Sequence, residues 1–287
     1  MKIFDKILCP IDFSEDSIKT LQWAELAAKK YGSQVTILHV MEPYPAAVDI
    51  GIDYDRYHAT VLRDMQNFLE PLKIHYESIQ SSGVPSQKIV ALAKALGASV
   101  IVMGTRGLRG AAHKLVGSTT ESVIRNASVP VITLSPHVDR TSGPQQERIL
   151  LPVSSLTFPA RGYIRLRKIV RDLDAAITLF HVVDLKDAMF GSSFSANPVL
   201  VTTYETAEKK EDLLRIGRQI AKNATTTDAI VQFGDCTTEI GHESESGKYG
   251  FVLMGAKRQT ILSRFIESKA YVVISESRVP VITIRVN

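Results

Sequence analysis

The 287-residue chain is predicted to fold as two tandem, doubly wound α/β domains, each a five-stranded parallel sheet with helices on both faces. Three observations lead there. Four anchor segments occur twice in the same order. Within each copy, short and almost continuously apolar runs alternate with helix-period patterns, as strands of a sheet covered on both faces alternate with their crossovers. The length suits two domains of ordinary size.

The repeat is explicit. Lys6-Ile7-Leu8-Cys9-Pro10 returns as Arg148-Ile149-Leu150-Leu151-Pro152, and Ile37-Leu38-His39-Val40 as Leu179-Phe180-His181-Val182, both offset by 142. Val102-Met103-Gly104 returns as Leu253-Met254-Gly255 at 151, and Val129-Pro130-Val131-Ile132-Thr133 returns unchanged as Val279–Thr283 at 150. Offsets this long mark whole domains rather than the units of roughly 20–50 residues that build solenoids. The second copy holds about nine extra residues between its second and fourth strands, the difference between the 151 and 142 offsets, and one fewer in the loop after Gly255. The domains are placed at 1–136 and 147–287. The polar, turn-forming linker Pro136–Gln146 joins them, with Thr141-Ser142-Gly143-Pro144 inside it.

In the first copy, strands are expected near Lys6–Ile11, Gln34–Val40, His75–Gln80, Val100–Gly104 and Val129–Leu134. Helices are expected near Ser14–Tyr31, Arg56–Leu72, Ser86–Leu96 and Ser118–Asn126. Ile18, Leu21, Ala24 and Ala28 share one helical face, and Ser14 and Ser86 suit N-caps. Parallel neighbours need right-handed crossovers, which puts ligands beyond the carboxyl ends of the strands.

Composition narrows the function. With 45% hydrophobic and 22% charged residues, each half can bury a core. No apolar run approaches the roughly 20 residues of a membrane span, and the N-terminus enters a strand pattern without a signal-peptide apolar stretch. A cytoplasmic location is expected. The +4 net charge is spread without a basic block, so neither nucleic acid nor membrane is an expected partner. Cys9 and Cys236 lack metal or redox spacing. His39 and His181 read as satisfied strand histidines. No His-x-x-His or carboxylate cluster has metal spacing, and His113 is the one histidine in a position to join a site.

That site is a glycine loop: Gly104-Thr105-Arg106-Gly107, nine residues, then Gly117-Ser118-Thr119-Thr120. It follows the apolar run Val100–Met103 and opens a helix. Glycines let backbone approach a ligand, and unpaired N–H groups at a helix start favour an anion. The spacing is neither a P-loop nor Gly-x-Gly-x-x-Gly. Arg106, Arg109 and Lys114 could each meet a phosphate or be solvated loop charges. At the same sheet edge the first strand ends in Pro10-Ile11-Asp12 and the second in His39-Val40. Asp12 could accept hydrogen bonds from a ribose or an adenine amine, or cap the helix that starts at Ser14. Ser118 has the same two readings. Glu42–Tyr57, with Asp49, Asp53, Asp55 and three tyrosines, reads as a loop or a lid over that edge.

The Gly-x2-Gly-x9-Gly-Ser pattern, the Asp after the first strand and the closing Val-Pro-Val-Ile strand resemble the universal stress protein family, and the repeat resembles its tandem members. The resemblance implies a fold of the adenine-nucleotide α-hydrolase-like type and bound ATP, with ADP or AMP as alternatives and Mg2+ accompanying the phosphates. It implies that Pro10, Ile11, Asp12 and Val40 surround adenine and ribose. Met103, Gly104, Arg106 and Gly107 would line ribose and phosphates, and Gly117, Ser118, Thr119 and Thr120 would hold the phosphate tail. It also implies pairing of the two domains through their last strands, with a homodimer as a further expectation. Ser99 stands where the family often has Asp, outside the pocket.

The second copy departs in the pocket. Ser154 matches Asp12, Arg258 or Gln259 matches Gly107, and Glu267-Ser268-Lys269 matches Gly117-Ser118-Thr119. A glutamate there suits a helix but repels phosphate, whereas Lys269 could attract an anion. The expected function is a cytoplasmic ATP-binding stress or signalling protein with one intact site. A slow ATPase and a nucleotide-free interaction module are the alternatives. No general base is committed beside the loop, so hydrolysis is expected to be weak at most.

Overall fold

Lys6–Ile11 forms β1, whose interior residues Ile7, Leu8 and Cys9 are fully shielded from solvent. The computed structural model describes residues 1–42, 54–107, 116–139, 143, 148–154, 160–184, 198–221, 227–256 and 264–285. The chain divides into two units, Met1–Pro144 and Gln145–Asn287.

In the first unit, α1 (Glu15–Tyr31) follows β1. Ser14 caps it by accepting from the Ser17 N–H, and Gly32 ends it in the left-handed region at φ 67°. Leu21, Ala24 and Ala28 face the core as the periodicity predicts. Ile18 does not: it is 43% exposed. Then come β2 (Gln34–Met41), α2 (Tyr54–Leu69), β3 (Tyr76–Ser82), α3 (Pro85–Ala95), β4 (Val100–Gly104), α4 (Ser118–Asn126) and β5 (Val131–Leu134). The expected cap Ser86 lies inside α3 instead. Val84 occupies the N-cap without a side-chain bond, and Pro85, whose missing N–H costs nothing there, opens the helix.

Strand order is β3-β2-β1-β4-β5, all pairs parallel. The chain winds outward on one side of β1, then crosses to the other, so the switch point lies between β1 and β4. Ser99 ties these two strands at their amino ends. Its buried hydroxyl accepts from the Lys6 N–H, and the Ile3 and Lys6 carbonyls lie 2.8 Å away. On α1 the single tryptophan, Trp23, is wholly buried beside Phe4, which stacks on Tyr31 at 4.4 Å.

The second unit repeats the plan with β6 (Arg148–Pro152), α5 (Ala160–Asp172), β7 (Ala176–Val183), α6 (Pro198–Ile220), β8 (Thr227–Phe233), α7 (Cys236–Ser244), β9 (Phe251–Ala256), α8 (Arg264–Glu276) and β10 (Val281–Arg285). Its strand order, β8-β7-β6-β9-β10, is the same and again parallel. Cys236 is the first residue of α7, behind the N-cap Asp235. Arg165 donates to the Arg285 carbonyl at 2.6 Å, and Arg167 to the Gln219 carbonyl in the last turn of α6. Among the described residues no helix is long and apolar enough to cross a membrane.

Candidate functional site

At the carboxyl edge of the first sheet, the register that sets Leu8 beside Ile101 brings Pro10 to the level of Met103. Ile11 faces His39 on the other side. Pro10 and Val40 are half-buried, and Ile11 and Met103 are each 6% exposed. These residues form the wall from which Asp12 emerges.

Asp12 is built into the start of α1. Its Oδ1 accepts from the Ser14 N–H at 3.2 Å, from Ser14 Oγ at 2.6 Å and from Ser17 Oγ at 2.6 Å. Its own N–H donates to Ser17 Oγ at 3.0 Å. Its other oxygen faces Gly107: a β-carbon on that glycine would fall 2.4 Å from Oδ2. Ser14, not Asp12, is thus the N-cap; Asp12 Oδ1 braces that cap, and Oδ2 faces the glycine loop.

The loop closes on itself by backbone bonds. The Thr105 N–H donates to the Leu134 carbonyl at 3.1 Å, and the Gly117 N–H donates to the Thr105 carbonyl at 2.8 Å. Gly117 is then the extended N-cap of α4, at φ −64° and ψ 147°, with no side chain capping the helix. Ser118, exposed, and Thr119, half-buried, follow at the uncapped first turn, where unpaired N–H groups carry the positive end of the helix dipole. Ser118 is thus the first helical residue and not the cap. Thr120 is 4% exposed, and its hydroxyl donates to the Gly104 carbonyl at 3.0 Å, locking α4 to the end of β4. Gly104 is closely fitted, its added β-carbon lying 3.4 Å from Thr20 Oγ1 and from the Arg106 carbonyl. Arg106 projects into solvent. Arg109, His113 and Lys114 lie outside the described residues, as does 43–53 of the expected lid. Tyr54–Tyr57 of that segment form the first turn of α2.

Three residues of the site were not read from the sequence. Ser17 shares Asp12 with Ser14, and its spacing of three from Ser14 on a first helical turn is the signal that was available. Thr105 is fully buried, and its hydroxyl has no hydrogen-bond partner among the described residues. Phe13 takes φ 61°, a region that aromatic residues rarely adopt and for which its identity gives no warning. Its ring packs on His39 at 4.3 Å and edge-on to Phe68 at 5.3 Å. His39 accordingly titrates below its ordinary 6.5, because burial disfavours the imidazolium more than the Ile11 carbonyl and the Asp12 charge favour it.

The same edge of the second unit is different. Ser154 is exposed. Helix α8 begins at Arg264, so Glu267, the match of Gly117, is already its fourth residue where the first unit has an extended cap. Lys269 sits 3.9 Å from the Asp184 carboxylate.

A profile of the universal stress protein family matches residues 3–135. The chain is 30% identical over 142 residues to a universal stress protein of Methanocaldococcus jannaschii, covering 46% of this chain and 82% of that protein. It is also 30% identical over 145 residues to one of Bacillus subtilis, covering 45% and 98%. Over nearly the whole length, 99% of each chain, the fold matches the crystal structure of a universal stress protein from Archaeoglobus fulgidus at TM-score 0.67 and 21% identity. The chain belongs to the universal stress protein family.

Proposed function

We propose that the first unit binds an adenine nucleotide, ATP before ADP or AMP, and serves as a stress-response or signalling domain, while the second unit is a degenerate partner. The observation that carries this is the Gly107–Asp12 approach beside the uncapped start of α4. A carboxylate able to accept from a ribose or an adenine amine stands at one end, and unpaired N–H groups suited to phosphate stand at the other. Pro10, Ile11, Asp12 and Val40 surround base and ribose. Met103, Gly104, Arg106 and Gly107 line ribose and phosphates. Gly117, Ser118, Thr119 and Thr120 receive the phosphate tail, Thr120 through its backbone because its hydroxyl is engaged.

Mg2+ would arrive with the phosphates, since among the described residues no group of three His, Cys, Asp or Glu could hold a metal ion. Glu121, the carboxylate nearest in sequence to the phosphate end, is ion-paired with Arg125 and is poorly placed to act as a base. The site therefore holds nucleotide and hydrolyses it slowly at most. Both cysteines are free, which suits a reducing, cytoplasmic compartment. The identical segments Val129–Thr133 and Val279–Thr283 are the ground for proposing that the units pair through their last strands.

The deciding experiment is to denature purified protein, identify any released nucleotide and count it per chain, repeating the count after loading with ATP. One per chain supports the reading. Two would overturn the degeneracy of the second unit. None, with no thermal shift on adding ATP, would favour an interaction module without nucleotide.

A further inference from the structure

Both ends of the peptide joining Ile11 to Asp12 are held by side chains. Its carbonyl accepts from His39 Nδ1 at 3.1 Å. A carbonyl can only accept, so the neutral ring carries its hydrogen on Nδ1. Its N–H donates to Ser17 Oγ at 3.0 Å. With both fixed, the peptide plane and the direction in which Asp12 leaves it are fixed. On the far side of Asp12, Phe13 is held at φ 61° with its ring 4.3 Å from the same imidazole. A left-handed aromatic residue persists only where its surroundings over-determine it. His39 therefore touches the residue before Asp12 and the residue after it.

The second unit supplies an internal comparison. His181 Nδ1 lies 2.6 Å from the Val153 carbonyl, the same bond between the same two strands. There, however, the next residue is the exposed Ser154. The bond as such closes the end of a strand pair in both units, and only in the first does a carboxylate follow it.

We propose that His39 is a positioning residue for Asp12. It sets the carboxylate against Gly107 through the Ile11 carbonyl and the Phe13 ring, and so sets the nucleotide affinity of the first unit. This rests on the nucleotide-site reading above.

The test uses the full chain and three variants: His39→Ala, His39→Asn and His181→Ala. An asparagine amide reaches the position of Nδ1 and can still donate to the Ile11 carbonyl. ATP affinity is measured by calorimetry, and the Gly107 amide resonance of the ligand-free protein by NMR. His39→Ala is expected to weaken ATP about tenfold and to move the Gly107 resonance, His39→Asn to restore affinity to within about threefold, and His181→Ala to leave both unchanged while lowering the melting temperature. If His39→Ala does not fold, His39→Asn against wild type and the unmoved Gly107 resonance of His181→Ala still decide. The proposal is overturned if His39→Ala binds as wild type does with Gly107 unmoved, if Asn fails to rescue, or if His181→Ala weakens ATP equally. A wild-type chain that binds no ATP, yet whose Gly107 resonance moves only with the His39 variants, overturns the nucleotide reading and leaves the positioning intact.

Discussion

Gly107 lies so close to Asp12 that a β-carbon at position 107 would fall 2.4 Å from Oδ2. The carboxylate cannot simply swing aside, because three donors from Ser14 and Ser17 hold its other oxygen. Gly107→Ala must therefore move the loop. ATP affinity is expected to fall about tenfold or more, with stability changed by less than about 1 kcal/mol because the loop edge is half-buried at most. Calorimetry with ATP and a thermal melt check the two halves. Unchanged affinity would remove the loop from the site.

Gly217 poses a similar problem in α6. An added β-carbon would meet Thr227 Cγ2 at 2.1 Å and Leu179 Cδ1 at 2.8 Å. Ala would gain about 1 kcal/mol of helix propensity. Thr227 is β-branched and stiff, so overpacking of about 1–3 kcal/mol outweighs that gain. Gly217→Ala is expected to destabilise the second unit by up to about 2 kcal/mol in denaturant unfolding while leaving ATP binding alone.

His39 gives the first unit an acid sensitivity. Its folded-state pKa lies below the ordinary 6.5 because burial disfavours the charged ring. Near pH 6 the unfolded chain therefore binds more protons than the folded one. This contribution to stability is complete above about 6.5 and is lost as pH falls from there through the lower folded-state value. His39→Asn is expected to flatten the decline below about pH 6.5, read as unfolding midpoints across the range. An identical decline in the variant would show that another group is responsible.

Asp235 caps α7 by accepting from the Thr237 and Thr238 N–H groups at 3.0 and 3.1 Å. The Thr237 hydroxyl, then the Thr238 amide, hold its carboxyl down to about 2 from the ordinary 3.8. The stability it supplies is present above about 3.8 and lost as pH falls toward 2. Asp235→Ala is expected to cost about 1 kcal/mol at neutral pH, and Asp235→Asn less. Equal losses in the two variants would point to charge rather than the cap bond.

Strand positions were legible because parallel strands covered on both faces must be almost wholly apolar. β1 and β4 run Lys6–Ile11 and Val100–Gly104 as the sequence predicts. The glycine loop and Asp12 were legible as residue types at a sheet edge. What escaped was conformational. Phe13 in the left-handed region and Pro85 displacing Ser86 as the start of α3 depend on tertiary packing or on one missing N–H. The contrast between units was read as Gly117 against Glu267, a matter of side chains. The structure adds a backbone difference, since α8 already runs through that position. Interior helical N–H groups bond to carbonyls four residues back, so Glu267→Gly alone would not return them to a ligand.

Trp23 is the only tryptophan in the chain, and it is a buried residue of α1 in the first unit. Its fluorescence is therefore an optical label for one half of the protein, while circular dichroism reports both. A ligand held by the first unit would delay the fluorescence transition by RT ln(1 + [L]/Kd). To the extent that the units unfold separately, the later part of the dichroism curve would stay where it was. A single melt read at two wavelengths thus distinguishes which half has taken up nucleotide without any substitution.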